Sequence, residues 1–170
     1  MDQSETDIPQ QWILDVVAQW ESDLVRYARH LVGDVERARD VVQDTFLKLC
    51  QQDRGQLDGH LVEWLFTVCR NGALDVRRKE QRMTPMTLDA VMDSVGTDPP
   101  PDHAAEQRDS TEKILSLLGE LSPNQQEVLR LKFQHGLSYR EISTITSLTE
   151  TNVGFLIHVG IKRLREMMQP

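Results

Sequence analysis

The side chains of this 170-residue chain that could do chemistry are cations and hydrogen-bonding groups near helix ends, not a nucleophile paired with a base. Arg77, Arg78 and Lys79, with Arg82 close behind, end a segment of helical periodicity. Cations in that place offset the negative end of the helix macrodipole, and they can also contact phosphates. The stretch from Leu137 to Glu166, LSYREISTITSLTETNVGFLIHVGIKRLRE, reads as two helices around a tight turn. A helix-turn-helix puts its second helix into the DNA major groove, N-terminal residues toward base edges; the alternative is an ordinary two-helix corner of an all-α core. Asp40, Gln43, Asp44 and Lys48 share the polar side of an earlier segment, where solvation is the default role. No metal-ligand cluster, nucleophile–base pair or phosphate-cradling glycine loop is visible in the sequence. No catalytic residue, metal or cofactor is therefore predicted.

The elements that must position these groups follow from caps and apolar spacing. Ser138 and Glu141 form a capping box, Ile142 and Ile145 supply an inward face, and Ser147 and Leu148 make the turn. Thr149 caps the last helix, which Val153, Leu156, Ile157, Gly160, Ile161 and Leu164 continue. Upstream, Ser122 as cap, Pro123 at the first helical position and Gln125 three residues after the cap open another helix. Its apolar residues are Val128, Leu129, Leu131 and Phe133, and Gly136 suits its end. In the N-terminal half, a helix is predicted over 10–32, ended by Gly33, and a second over 35–51, capped by Asp34. A third runs over 61–80, with Trp64, Leu65, Val68, Cys69, Gly72 and Val76 buried. Residues 53–59 read as a polar connection and residues 1–9 as disordered. Residues 83–109 hold Pro85, Pro99, Pro100 and Pro101 among many acids, a flexible linker by composition. A short helix is predicted to begin near Glu106 or Ser110. The fold class is all-α: two small helical domains, 10–82 and 110–170, joined by that acidic linker.

The segments GDVERARDVVQDTFLKL, WLFTVCRNGALDVRR and GLSYREIS with the following helix resemble a bacterial RNA polymerase sigma factor, of the two-domain extracytoplasmic-function class. The resemblance covers roughly residues 27–82 and 117–166. It implies that Asp40, Gln43 and Asp44 contact core RNA polymerase, as carboxylates and an amide can across a polar interface. It implies that the third helix melts and reads the -10 element, where a base is flipped out of the stack. Asn71 would then read a base edge while Arg70, Arg77, Arg78 and Lys79 hold phosphates, with residues 56–60 as lesser candidates. The helix-turn-helix would read the -35 element. Where such factors often carry Lys, Ser or Arg, this chain has Gly154, Phe155 and Leu156. Phosphate contact there falls to Arg140, Lys162 and Arg163. Base reading falls to Thr151, Asn152, Phe155 (against a thymine methyl) and His158. Phe155 and Leu156 could instead face an anti-sigma factor or the core. Core polymerase, promoter DNA and an anti-sigma factor are the implied partners.

Charge fits this reading. The net charge is -8, yet residues 61–82 and 121–170 each carry +2, whereas residues 1–60 and 83–120 each carry -6. Two basic segments suit two DNA contacts, and the acidic ones suit a basic protein partner. No apolar run is long enough for a membrane span and the N-terminus MDQSETD is not a signal peptide, so no membrane insertion and a cytoplasmic location are expected. Cys50 and Cys69 lack metal or redox spacing and read as reduced core or near-core thiols. Two rival readings remain. One is a stand-alone helix-turn-helix regulator that binds duplex DNA unaided; the other is a pure protein-interaction module.

Overall fold

The computed structural model describes residues 7–83 and 113–169. The chain divides into two compact units, Met1–Ser94 and Val95–Pro170. Every regular element among the described residues is helical.

The first unit holds α1 (Asp7–Val32), α2 (Val35–Leu49), the single turn α3 (Arg54–Leu57) and α4 (Leu61–Met83). α1 begins three residues before the predicted start. Pro9 falls in its first turn, where a missing N–H costs no intrahelical bond. Residues 7–9 are thus helical rather than disordered, and residues 1–6 lie outside the described residues. Gly33 (φ 77°) ends α1, and the Asp34 side chain accepts from the Arg37 N–H to start α2. α2 stops at Leu49, and α4 runs on to Met83, past the predicted end. The expected polar connection contains α3: the Asp53 carboxylate accepts from the Gly55 N–H at 3.0 Å, and Leu57 is buried.

The centre of this unit is Phe66, a residue the spacing did not single out. It is fully buried. Its ring meets Trp20 edge-on with centroids 6.3 Å apart and Tyr27 at 5.3 Å. Trp64 and Val68, expected inside, are half-buried. α2 and α4 approach closely where Gly72 has no side chain: a Cβ there would lie 3.3 Å from Val41 Cγ1. At the other end of the same pair, Arg37 forms an ion pair with Glu80.

Cys69 is buried, its thiol donating weakly to the Leu24 carbonyl at 3.8 Å. Burial pushes its pKa up to about 12. Cys50, expected in or near the core, is exposed at the end of α2. The thiolate is the reactive form, so a disulfide reagent at neutral pH is expected to label Cys50 promptly and Cys69 only after denaturation. Equally fast labelling of both, followed by absorbance, would contradict the buried position of Cys69.

In the second unit, helical residues 113–118 (α5) precede α6 (Pro123–Leu129). The predicted start of α5 near Glu106 or Ser110, and the linker apart from Met83, lie outside the described residues. α6 has the expected capping box: the Gln125 N–H donates to Ser122 Oγ, and Gln125 Oε1 accepts from the Ser122 N–H. No apolar staple closes this entry. Instead the Gln126 amide donates to the Leu121 carbonyl at 2.9 Å. α6 then widens into a π-turn, Arg130–Gln134. One extra residue per turn takes Phe133 off the stripe of Leu129, so Phe133 is 66% exposed rather than packed. α7 (Tyr139–Thr146) and α8 (Glu150–Met168) complete the unit. α8 presses on α6 at Gly160, where a Cβ would stand 2.9 Å from Leu129 Cδ1.

Candidate functional site

Three exposed helix faces carry the predicted site residues. On α2, Ala38, Val41, Val42, Thr45 and Leu49 are buried. The buried Thr45 hydroxyl donates to the Val41 carbonyl at 2.9 Å, which satisfies it within its own helix. The opposite stripe, at offsets of three, four and seven residues, presents Asp40, Gln43 and Asp44, all exposed. Leu47 completes that stripe and is 59% exposed. An apolar side chain beside three polar ones suits a protein interface, where an apolar anchor sits among polar contacts. Leu47 was legible as the i+7 neighbour of Asp40, but its exposure was not.

On α4, Arg70 and Arg77 lie two turns apart on a half-buried stripe. Asn71 and Arg78 lie two turns apart on the neighbouring exposed stripe, and Lys79 is exposed beside them. Arg78 is held by Asp75 at 3.2 Å, an exposed pair one turn back. The basic end of α4 therefore presents a cationic ridge with an amide at its base. Near the start of the unit, the Arg54 guanidinium lies over the Trp12 ring, 5.6 Å from its centroid. That contact tethers to α1 the turn α3, which includes Gln56 and Leu57 and leads into the turn at residues 58–60.

In the second unit the helix-turn-helix is built as its caps predict. The Ser138 hydroxyl accepts from the Glu141 N–H at 3.2 Å, and Glu141 Oε2 accepts from the Ser138 N–H at 2.7 Å. Ser147 makes the turn with φ 60°. The Ser143 hydroxyl donates to the Leu148 carbonyl at 2.6 Å, and the Thr146 hydroxyl accepts from the Leu148 N–H at 3.4 Å. Leu148 is half-buried in the angle. Thr149 Oγ1 accepts from the Asn152 N–H at 3.1 Å and starts α8. Replacing Ser138 with alanine leaves the Glu141 N–H without its side-chain acceptor, while the Glu141 carboxylate can still accept from the backbone N–H of residue 138. It is expected to cost about 1 kcal/mol, read as a lower urea midpoint; an unchanged midpoint would mean the cap is not limiting.

Val153, Ile157 and Gly160 face inward on α8. Thr151, Phe155, His158 and Lys162 form one outward stripe, with Asn152 and Arg163 beside it, all exposed. Arg140 on α7 is exposed as well. Phe155 is 62% exposed, so it is not a core residue, whereas Leu156 is half-buried. Sequence reasoning missed the support behind this face. The Lys132 ammonium lies 5.3 Å from the centroid of the Tyr139 ring, and a Cβ on Gly154 would stand 3.4 Å from that ring. Gly154 therefore lies beside the Tyr139 ring at a distance that a small side chain would also fit.

Polar and cationic side chains on helix faces, with apolar interiors beneath, suit contacts with other macromolecules. Comparison with known proteins agrees. The profile of Sigma-70 region 2 matches residues 16–83 and that of Sigma-70, region 4 matches residues 111–164. The ECF RNA polymerase sigma factor SigL of Mycobacterium tuberculosis is 31% identical over 150 residues, covering 86% of this chain and 82% of SigL. SigX of Bacillus subtilis, another ECF factor, is 25% identical over 156 residues, covering 88% of this chain and 80% of SigX. The chain belongs to the ECF sigma factors of the sigma-70 family. It is accordingly a transcription initiation factor, not an enzyme. Among solved structures, the sigma factor RpoE of Bartonella quintana in complex with the anti-sigma factor NepR shares the fold, with TM-score 0.71 and 23% identity, covering 91% of this chain and 94% of RpoE. CnrH in complex with the cytosolic domain of CnrY does so with TM-score 0.63 and 22% identity, covering 94% of this chain and 88% of CnrH. Among the described residues, no helix is long and apolar enough to cross a membrane.

Proposed function

We propose that this sigma factor binds core RNA polymerase through the outer face of α2 and directs it to promoters with two read elements. Residues 10–82 serve as the core-binding and -10 domain, and residues 110–170 as the -35 domain. Asp40, Gln43 and Asp44 meet the polymerase. Asn71 reads an extruded base of the -10 element while Arg70, Arg77, Arg78 and Lys79 hold the strand. Thr151, Asn152, Phe155 and His158 approach -35 base edges, with Arg140, Lys162 and Arg163 on phosphates. The observation that carries this reading is the segregation of each group onto one exposed or half-buried helix face, away from the mainly apolar buried stripe of the same helix.

The work is done in the cytoplasm, where the polymerase is. RpoE is known in complex with the anti-sigma factor NepR, and CnrH with the cytosolic domain of CnrY, which supports an anti-sigma factor as a further partner here. The exposed rings of Phe133 and Phe155 offer it apolar anchors.

Run-off transcription over a library of genomic promoters, with core polymerase and with or without this protein, tests the reading. New start sites dependent on the protein are expected. A gel shift separates it from a stand-alone regulator: duplex binding should require core enzyme, and tight sequence-specific binding without it would favour the regulator.

A further inference from the structure

We propose that Arg37 is a positioning residue for the basic end of α4, acting by neutralising Glu80. This rests on the reading above that α4 meets DNA. Val41 faces Gly72 and Arg37 pairs with Glu80, so the first turn of α2 lies beside the last turns of α4 in an antiparallel pair. Each charge stands where its own helix disfavours it: a cation near an N-terminus, a carboxylate near a C-terminus. Each is favoured instead by the end of the other helix. The arrangement makes sense only across the pair. Arg37 also lies 3.9 Å from Asp34, the cap of its own helix, through Nε, while Nη1 reaches Glu80.

The pair is open to solvent, with side-chain exposure of 50% and 35%. Exposed ion pairs add little to fold stability, so its consequence is sought in local charge. Glu80 is the carboxylate within the run Arg77–Arg82. Left unpaired, it repels an approaching phosphate. It also sits one turn after Arg77, close enough on a helix surface to compete for that guanidinium. Arg37 occupies the carboxylate, so Glu80 does not draw Arg77 away from the strand. The residue lies one turn before Asp40 and two before Asp44, at the edge of the polymerase stripe, so DNA binding is compared with core polymerase saturating.

The test uses the full chain assembled with core polymerase. Arg37→Gln, Glu80→Gln and the double variant are titrated against a labelled duplex carrying a promoter that the wild-type holoenzyme selects in run-off transcription. Core affinity is measured in parallel. Arg37→Gln is expected to weaken DNA binding about threefold at low salt and less at higher salt, because exposed charges are screened. Glu80→Gln is expected to tighten it by a similar factor, and the double variant to return to the wild-type value. Core affinity should be the same for all four proteins. A pair that merely braced the helices would make both single variants weak, and that result overturns the inference. So does a double variant as weak as Arg37→Gln, which would make Arg37 a direct DNA contact. Variants all equal to a DNA-binding wild type overturn this inference alone. A wild-type holoenzyme with no affinity for any promoter overturns the proposed function and this inference with it.

Discussion

Replacing Phe66 with alanine is expected to remove about 3–5 kcal/mol from the first helical unit. The ring is fully buried and packs on Trp20 and Tyr27. The loss therefore combines transfer of an aromatic side chain with a cavity that three helices must bridge. Domains of this size have total stabilities on the order of 5 kcal/mol. The variant should leave the first unit only marginally stable, about 0–2 kcal/mol by these figures. Urea titration followed by circular dichroism on the full chain should show part of the helical signal melting at much lower urea. The second unit, with its own core around Leu129, Val153 and Ile157, should keep its transition. A change below about 1 kcal/mol would mean that Phe66 is not the centre of the core.

The second large effect is functional. Asp44→Lys is expected to weaken binding to core polymerase about 30-fold or more, since truncating one partner of an interfacial charge pair costs about 2–5 kcal/mol and reversal adds repulsion. Asp44 is exposed on the outer face of α2, so the melting behaviour should move by less than about 0.5 kcal/mol. Anisotropy titration of a labelled protein with core enzyme reads the affinity. Leu47→Ala, on the same stripe, should weaken binding in the same direction without altering the fold. Unchanged affinity in Asp44→Lys would remove α2 from the polymerase interface.

Much of this was readable from residue types. Both capping boxes, the Thr149 cap and the Asp34 cap form as their spacing predicts, because a cap is a bond between residues three apart and needs no distant partner. The outward positions on α2 and α8 followed from helical period and were found exposed. What escaped was decided by other helices. Trp64, Leu65 and Phe66 are consecutive apolar residues, and a period of 3.6 does not say which is deepest; the crossing of α1 over α4 selected Phe66. Phe133 looked like a continuation of the stripe of Leu129 until the π-turn shifted it by one position.

By itself, then, the chain determined its longer helices, the caps that start α2, α6, α7 and α8, its two-unit organisation and the residue types offered for contact, because caps and helical period depend on neighbours within one or two turns. Only tertiary structure decided which apolar side chain fills each centre, that Phe155 and Leu47 stay outside, and that Arg37 meets Glu80. These outcomes depend on which helix lies alongside and at what distance. In this protein that distance is set by two missing side chains, at Gly72 and Gly160.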